Sequence, residues 1–135
     1  MKQRGASAAA AACPCGGGQY DSCCGRWHRG APAPTAAELM RSRYSAYALG
    51  LHDYIAATWH PRTRPPLPEL QDDGGARWLG LELRSAQERG DEATVEFVAR
   101  YKTGGRAHRL HEVSRFLREQ GRWFYLDGTF PERQA

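Results

Sequence analysis

The spacing of apolar residues changes from a helical to a strand-like period near the middle of the 135-residue chain. Between residues 36 and 51, apolar side chains recur at the spacing of an amphipathic helix. Thr35 and Glu38 predict a capping box at its start, in which the hydroxyl and the carboxylate satisfy the first free backbone amides. A second, short helix that must end at Pro61 is predicted from the spacing of Tyr54, Ile55, Thr58 and Trp59. Residues 61–76 are rich in Pro and Gly and are predicted to form a loop.

The second half of the chain predicts four strands joined by short turns. Apolar and polar residues alternate in the runs 78–83, 93–101, 110–117 and 122–127. The turns between them each contain glycine and lie at 89–91, 103–105 and 119–121. Helices followed by an antiparallel meander indicate an α+β fold, with helices packed on one face of a four-stranded antiparallel sheet.

Charge and hydropathy restrict the possible partners only in part. The net charge is +4, from 19 Lys and Arg against 15 Asp and Glu, which is weaker than the basicity typical of nucleic-acid-binding domains. Nucleic-acid binding would therefore require the arginines to gather on one face of the fold. No apolar stretch approaches the roughly 20 residues of a membrane span, so no membrane association is expected.

The N-terminal residues 1–12 have the composition of a disordered tail. Their alanine run before Cys13 resembles a lipoprotein signal only superficially, because it is too short and too weakly apolar for the hydrophobic region of such a signal. Lipidation would also consume a cysteine of the cluster that follows.

All four cysteines lie within twelve positions, at Cys13, Cys15, Cys23 and Cys24. Neither core packing nor disulfides that join distant segments explain such clustering. Four thiolates that converge on one point suit a tetrahedral zinc ion, with zinc–sulfur distances of about 2.3 Å, and the intervening glycines permit the tight turns of the loop. A redox relay is the alternative, although a Cys-x-x-Cys pair at a helix start is absent. Reduced, clustered cysteines also point to the cytoplasm.

The cysteine run is similar to the SEC-C motif, and further blocks of sequence resemble the YchJ-like family of small bacterial proteins. These blocks lie at residues 39–47, 58–61, 78–81, 114–116 and 123–129. The resemblance implies a SEC-C-like zinc knuckle at residues 13–30, followed at residues 31–135 by a cone-shaped, nuclear-transport-factor-like domain whose helices pack on a curved sheet. It implies no particular reaction.

The loop between Cys15 and Cys23 is one residue shorter than is usual for the motif. Either Cys23 ligates through a tighter turn, or the zinc geometry is strained and the affinity for zinc is reduced. In the second case His28 could replace a cysteine as a ligand, although an ordinary exposed histidine is the favoured interpretation. Because the knuckle has almost no core of its own, we expect chelation to unfold residues 13–30 and leave the rest of the domain folded.

One arginine falls on the apolar face of the predicted helix, since Arg43 projects between Leu39 and Ala36 on a helical wheel. A guanidinium directed inward is costly unless it is paired. The sheet offers Glu112 and Asp127 as partners, so a structural ion pair between helix and sheet is one interpretation. The other is an anion or carboxylate site in the cone, lined by Arg43, Tyr44, Trp59 and His60.

Three functions are consistent with the sequence. A four-cysteine site has no open coordination position, so its zinc is structural, and the favoured function is a protein-interaction or adaptor module. Tyr20, Arg26 and Trp27 are its candidate partner-binding residues, because Trp27 lies outside every predicted amphipathic element. Packing of Trp27 against the zinc loop or the first helix is the alternative. A small-molecule-binding protein or enzyme that uses the cone is the second function, although no nucleophile and base are visible together, and nucleic-acid binding is the third.

Overall fold

Helices occupy the first half of the chain and strands the second half in the computed structural model, which describes residues 11–71 and 75–131. The helical segments are a 3-10 turn at Tyr20–Ser22, α1 at Cys24–His28, α2 at Ala36–Leu49, α3 at His52–Ala57 and α4 at Leu67–Gln71. The strands are β1 at Arg77–Arg89, β2 at Glu92–Thr103, β3 at Arg106–Glu119 and β4 at Arg122–Thr129. Residues 1–10 of the predicted tail lie outside the described residues. The last two residues assigned to that tail belong to the knuckle instead, because Ala12 pairs with Gln19 and the carbonyl of Ala11 accepts from Tyr20.

The long helix α2 begins after the predicted N-cap residue Thr35, but the carboxylate that completes the cap is not the predicted one. The Thr35 hydroxyl accepts from the backbone amide of Glu38 at 3.1 Å, as the sequence predicts. The capping carboxylate comes from the sheet, because the amide of Ala36 donates to Glu88 of β1 at 3.0 Å, so the role assigned to Glu38 was wrong. Gly50 adopts a left-handed conformation with φ of 74° and caps the end of the helix, as its position in the sequence predicts.

The segment between α2 and the sheet departs from the predicted boundaries. Helix α3 ends before Trp59, because Trp59 forms a β-bridge with Tyr125 of β4. The predicted loop contains α4, whose Leu70 is buried against Ala46 and Ile55. A proline in the first turn of a helix is compatible with helix formation, which explains why the proline-rich sequence misled the prediction.

The sheet is the predicted antiparallel meander, with strand order β1-β2-β3-β4. Strands β1 and β3 are longer than the alternating pattern predicted. Bulges interrupt the ladder at Trp78/Gly80, Leu83/Ser85 and Arg115/Phe116, and bulges of this kind bend a strand. The inner face of the bent sheet packs against α2, which confirms the predicted α+β fold.

The cysteine knuckle shares its core with the rest of the domain. Cys13, Cys15 and Cys24 are buried in one apolar cluster with Leu39 and Met40 of α2. The knuckle is therefore anchored to the helix that also supports the sheet. Among the described helices, none has both the length and the apolar character needed to cross a membrane.

Candidate functional site

The four cysteine sulfurs form a compact cluster. Their Sγ atoms all lie within 4.8 Å of one another, and those of Cys15 and Cys23 are 3.5 Å apart. A tetrahedral ion with metal–sulfur distances of about 2.3 Å requires sulfur–sulfur distances of about 3.8 Å. All four thiols are free of disulfide bonds. The cluster therefore has the donors and the size to hold one metal ion.

The loop that carries the first two cysteines is closed by its own backbone and by glycine. The amide of Cys13 donates to the carbonyl of Gly18 at 2.7 Å. A Cβ on Gly17 would lie 3.1 Å from Sγ of Cys23 and 3.3 Å from Sγ of Cys15, so glycine leaves room for the sulfurs. The seven-residue spacing thus brings Cys23 into the cluster through a tight turn.

Helix α2 contributes a hydroxyl to the sulfur cluster. Ser45 is fully buried, and its Oγ donates to Sγ of Cys24 at 3.3 Å and lies 3.4 Å from Sγ of Cys13. Sequence reasoning missed Ser45, because a serine on an apolar helix face carries no signal of what it contacts. Outer contacts of this kind orient metal ligands and stabilise thiolate charge.

The thiols differ in acidity because they are buried together. The hydrogen bond from Cys24 is the largest cause that lowers the pKa of Cys15 to about 4. Burial, together with the hydrogen bond to Cys15, raises the pKa of Cys23 to about 11. The hydrogen bond to Cys15 and burial also raise the pKa of Cys24. The cluster thus favours one thiolate and opposes the formation of more. A bound cation would remove that opposition, because its positive charge stabilises all four thiolates.

His28 is neither the exposed histidine favoured from the sequence nor part of the sulfur cluster. Its Nε2 lies 2.8 Å from the carbonyl of Ser42, and its Nδ1 lies 2.6 Å from the Tyr20 hydroxyl. Because a carbonyl only accepts, Nε2 carries the proton and Nδ1 accepts from Tyr20. Burial lowers the pKa of His28, which favours this neutral form. Both ring nitrogens are engaged in joining the knuckle to α2.

The three candidate partner-binding residues differ in exposure. Tyr20 is half-buried and directed to His28. Trp27 lies on α1 and packs against the main core, which is the packed position that the sequence left open as the alternative. Arg26 is exposed, and its guanidinium carbon lies 4.3 Å from the centre of the Trp27 ring. Of the three, only Arg26 projects into solvent.

A second feature is a cavity of about 240 Å³ between α2 and the inner face of the sheet. Its walls are mainly aromatic, from Tyr44, Tyr47, Trp59, Trp78, Phe97 and Tyr125. Met40, Ala99 and Leu110 complete the apolar lining, and Arg43, Glu112 and Ser114 supply polar groups. Aromatic walls with a few convergent polar groups are typical of small-molecule sites. Tyr47 and Tyr125 were missed by the sequence analysis, although Tyr125 shares a strand with Trp123.

Arg43 is buried as predicted from the helical wheel, but the predicted ion pair is wrong. Its Nη1 donates to the carbonyl of Ile55 at 3.0 Å and to Oγ1 of Thr58 at 2.7 Å. The guanidinium carbon lies 4.6 Å from the ring centre of Tyr125 and 5.1 Å from that of Trp59. No salt bridge joins it to a carboxylate in the described part of the chain. Burial lowers its pKa, although the neighbouring tyrosines and a more distant carboxylate offset this in part.

Glu112 is the buried carboxylate of the cavity. Its Oε2 accepts from the Tyr125 hydroxyl at 2.7 Å and from the Ser114 hydroxyl at 2.9 Å. Among the described residues, Tyr125 contacts both Arg43 and Glu112. Space for the carboxylate comes from Gly128 of β4, because a Cβ there would overlap it and lie 2.7 Å from its Cδ. Gly128 was not singled out from the sequence, since glycine within a strand has many causes.

We expect Gly128→Ala to destabilise the domain by about 2 kcal/mol, because the new methyl group displaces the Glu112 carboxylate. In a Glu112→Ala background, the same change should cost less than about 0.5 kcal/mol, as a urea-denaturation double-mutant cycle would measure. Gly80→Ala is the matched control in β1, where an added Cβ meets nothing within 4 Å. Equal costs of Gly128→Ala in both backgrounds would contradict this role of Gly128.

Asp127 and His60 lie outside the cavity, contrary to the predicted constellation. A bulge in β4 pairs Arg115 with Asp127 but Phe116 with Tyr125, so Asp127 lies on the opposite sheet face from Tyr125. There it accepts two 2.7 Å hydrogen bonds from Arg115, which lowers the pKa of Asp127. His60 is buried beside β4, where its amide donates to the carbonyl of Tyr125 and its Nε2 lies 2.8 Å from Glu119. Tyr44, Trp59 and Glu112 do lie with Arg43 around the cavity.

Several arginines that nucleic-acid binding would need are paired within the protein. Arg84 pairs with Glu82, Arg115 with Asp127 and Arg118 with Asp91. Each of these pairs lies on the surface and neutralises positive charge that a phosphate backbone would otherwise meet.

Similarity to known proteins extends over most of the chain. A family model described as YchJ, middle NTF2-like domain, matches residues 35–128. A UPF0225 protein of Chromobacterium violaceum is 60% identical over 126 residues, covering 89% of this chain and 93% of that protein. A UPF0225 protein of Cupriavidus metallidurans is 59% identical over 130 residues, covering 90% and 91% respectively.

Two solved structures share the fold. A SEC-C motif-containing protein from Rhodopseudomonas palustris has a TM-score of 0.82 at 38% identity, covering 88% of this chain and 98% of that chain. A SEC-C motif-containing protein from Psychrobacter arcticus has a TM-score of 0.79 at 28% identity, covering 92% and 85%. Each of the two structural alignments covers a larger share of this chain than residues 35–128, which the NTF2-like family model matches.

Proposed function

The chain belongs to the family of YchJ and the UPF0225 proteins, and we propose that it is a cytoplasmic small-molecule-binding protein stabilised by a structural zinc ion. Cys13, Cys15, Cys23 and Cys24 would hold the ion. Bound zinc would neutralise the clustered thiolates and contribute folding free energy. Four thiol donors, free of disulfides and closer together than 4.8 Å, support zinc over a hard, oxygen-preferring cation.

One observation carries the binding function, namely the incomplete hydrogen bonding of Arg43. Only Nη1 of this buried guanidinium donates to the described residues, so Nε and Nη2 are without such a partner. These two nitrogens are not among the fully buried polar atoms of the described residues that lack a partner, so a group inside the cavity can reach them and accept from them. Since Arg43 lines the 240 Å³ cavity, a ligand there could supply the acceptor.

The lining supports a ligand with an apolar ring. Trp59 and Tyr125 meet edge to face, with ring centres 4.9 Å apart, and Tyr44 meets Trp78 in the same way at 5.6 Å. Rings held in this manner form rigid walls that bury apolar surface with little loss of side-chain entropy. The cavity therefore combines rigid aromatic walls with the polar groups of Arg43, Glu112 and Ser114.

We expect fragments with one aromatic ring to shift the indole N–H signals of Trp59 and Trp78 in nitrogen-15 NMR spectra. Trp27 and Trp123 lie outside the cavity and are internal controls, whose signals should move little. Titration of a fragment set against the labelled, zinc-loaded protein is the measurement. If no fragment shifts the two cavity tryptophans selectively, the proposed binding function is wrong.

A protein-interaction function of the knuckle is the second candidate. It is supported by exposed Arg26, stacked on Trp27 beside a small cavity of about 180 Å³ that lies between the knuckle and the α+β domain. Trp27, Pro32, Tyr54 and Trp123 are among the residues of its wall. A cationic residue next to an aromatic hollow suits an acidic protein segment.

We expect Arg26→Glu to abolish capture of such a partner in affinity purification, because it reverses the charge beside the hollow. The zinc content and the melting temperature should stay unchanged, since Arg26 is exposed. Arg100→Glu changes an exposed arginine of β2 and is the matched control. A partner retained by Arg26→Glu, or lost equally with Arg100→Glu, would argue against this surface.

A further inference from the structure

The cavity contains two buried charges of opposite sign. Arg43 is 3% exposed and Glu112 is 6% exposed. Both contact Tyr125, whose ring lies under the guanidinium at 4.6 Å and whose hydroxyl donates to the carboxylate at 2.7 Å. The formal charges of the cavity lining are therefore balanced. A charged ligand would leave a net buried charge, which is costly in an apolar enclosure.

Each of the two charged groups has polar atoms that form no hydrogen bond to the described residues. Arg43 uses only Nη1, which leaves the donors on Nε and Nη2. Glu112 uses only Oε2, which leaves Oε1 as an acceptor. A guanidinium can only donate, and an ionised carboxylate can only accept. A ligand that satisfies both must present an acceptor to Arg43 and a donor to Glu112.

The size of the cavity limits the ligand further. Its volume of about 240 Å³ lies below the range of roughly 300–1,000 Å³ that is typical of drug-sized pockets. The space thus suits one ring with a short polar substituent, and the aromatic walls favour a flat ring.

From these three features we infer that the cavity binds a small, planar, uncharged aromatic molecule bearing a carbonyl acceptor and an N–H donor, as in an aromatic amide or a lactam. This inference rests on the proposed binding function and specifies its ligand class. The carbonyl would accept from Arg43, and the N–H would donate to Glu112. The buried charges would then stay balanced while their remaining hydrogen bonds are formed.

Three probes of the same shape test the ligand class, namely benzamide, benzoate and benzamidinium. They share one ring and a planar three-atom head and differ in charge and in donor pattern. With the zinc-loaded full-length protein near pH 7, benzamide should shift the Trp59 and Trp78 indole signals with a Kd at least about tenfold lower than that of either charged probe.

Glu112→Gln should reverse part of this preference. The variant leaves Arg43 without a balancing charge, so benzoate should gain at least about tenfold in affinity relative to benzamide. Asp127→Asn removes a carboxylate from the opposite sheet face and should leave the order of the probes unchanged. A change of preference in Glu112→Gln alone would support a direct contact, which a purely structural role of Glu112 does not predict.

The possible failures separate the ligand class from the binding function. If benzoate or benzamidinium binds the unmodified protein most tightly at the two cavity tryptophans, the ligand class is overturned and the binding function stands. If none of the three binds there, the class is likewise overturned, and the broader fragment titration decides the binding function independently.

Discussion

Chelation of zinc from the loaded protein is expected to lower its melting temperature by more than about 10 °C. The reason is that Cys13, Cys15 and Cys24 are buried in the same apolar cluster as Leu39 and Met40 of α2. Without the ion, four thiols remain in that cluster, where one thiolate is favoured and further thiolates are opposed. Calorimetry with and without chelator measures the effect, and elemental analysis should find one zinc per chain.

This expectation replaces the more local one that follows from the sequence, in which only residues 13–30 unfold. Residues of α2 also contact the knuckle through hydrogen bonds. Ser45 donates to Cys24, and the carbonyl of Ser42 accepts from His28. Because α2 also packs on the inner face of the sheet, loss of the knuckle removes packing from the centre of the domain.

Cys23→Ser is the informative control for the role of the metal. Cys23 is the least buried of the four cysteines, so the exchange of sulfur for oxygen disturbs apolar packing least. The variant should contain little zinc, melt near the temperature of the chelated protein and respond no further to chelator. A chelated native protein that melts within about 2 °C of the loaded form would contradict the stabilising role. A metal-free protein with four titratable thiols would contradict zinc binding itself.

Periodicity and spacing predicted those features that depend on short stretches of chain. Helix α2, its Thr35 cap and the four-stranded meander each leave a local pattern, and so does the cluster of cysteines. The SEC-C and YchJ-like resemblance then supplied the fold family, which the match over residues 35–128 confirms.

The contacts of the cavity could not be predicted in the same way, because they depend on how distant segments align. One bulged residue in β4 places Asp127 on the opposite face from Tyr125, and strict alternation would have kept them together. The carbonyl of Ile55 and the hydroxyl of Thr58 took the place of a carboxylate partner for Arg43. A helical wheel indicates that a side chain is buried but not which groups it meets.

Arg43→Ala is expected to destabilise the domain by about 3 kcal/mol in urea denaturation. The change removes two hydrogen bonds, leaves the carbonyl of Ile55 without this donor and enlarges the cavity beside Trp59 and Tyr125. The substitution also removes the desolvation cost of burying the guanidinium, which offsets these losses only in part. Arg41→Ala is the matched control on the same helix, because it carries the same change in helix propensity. Among the described residues, Arg41 forms one long hydrogen bond, of 3.4 Å to the carbonyl of Cys15, so its loss should cost less than about 1 kcal/mol.

Arg43→Met separates the volume of the side chain from its charge. Methionine fills much of the same space without a buried charge, so this variant should unfold within about 1 kcal/mol of the native protein. It should nevertheless lose the response of the Trp59 and Trp78 indole signals to aromatic fragments. Together these results would mean that a hydrophobic residue suffices for stability and that the guanidinium serves binding. If methionine costs as much as alanine, the hydrogen bonds to Ile55 and Thr58 stabilise the fold, and the structural explanation of the buried arginine is the better one.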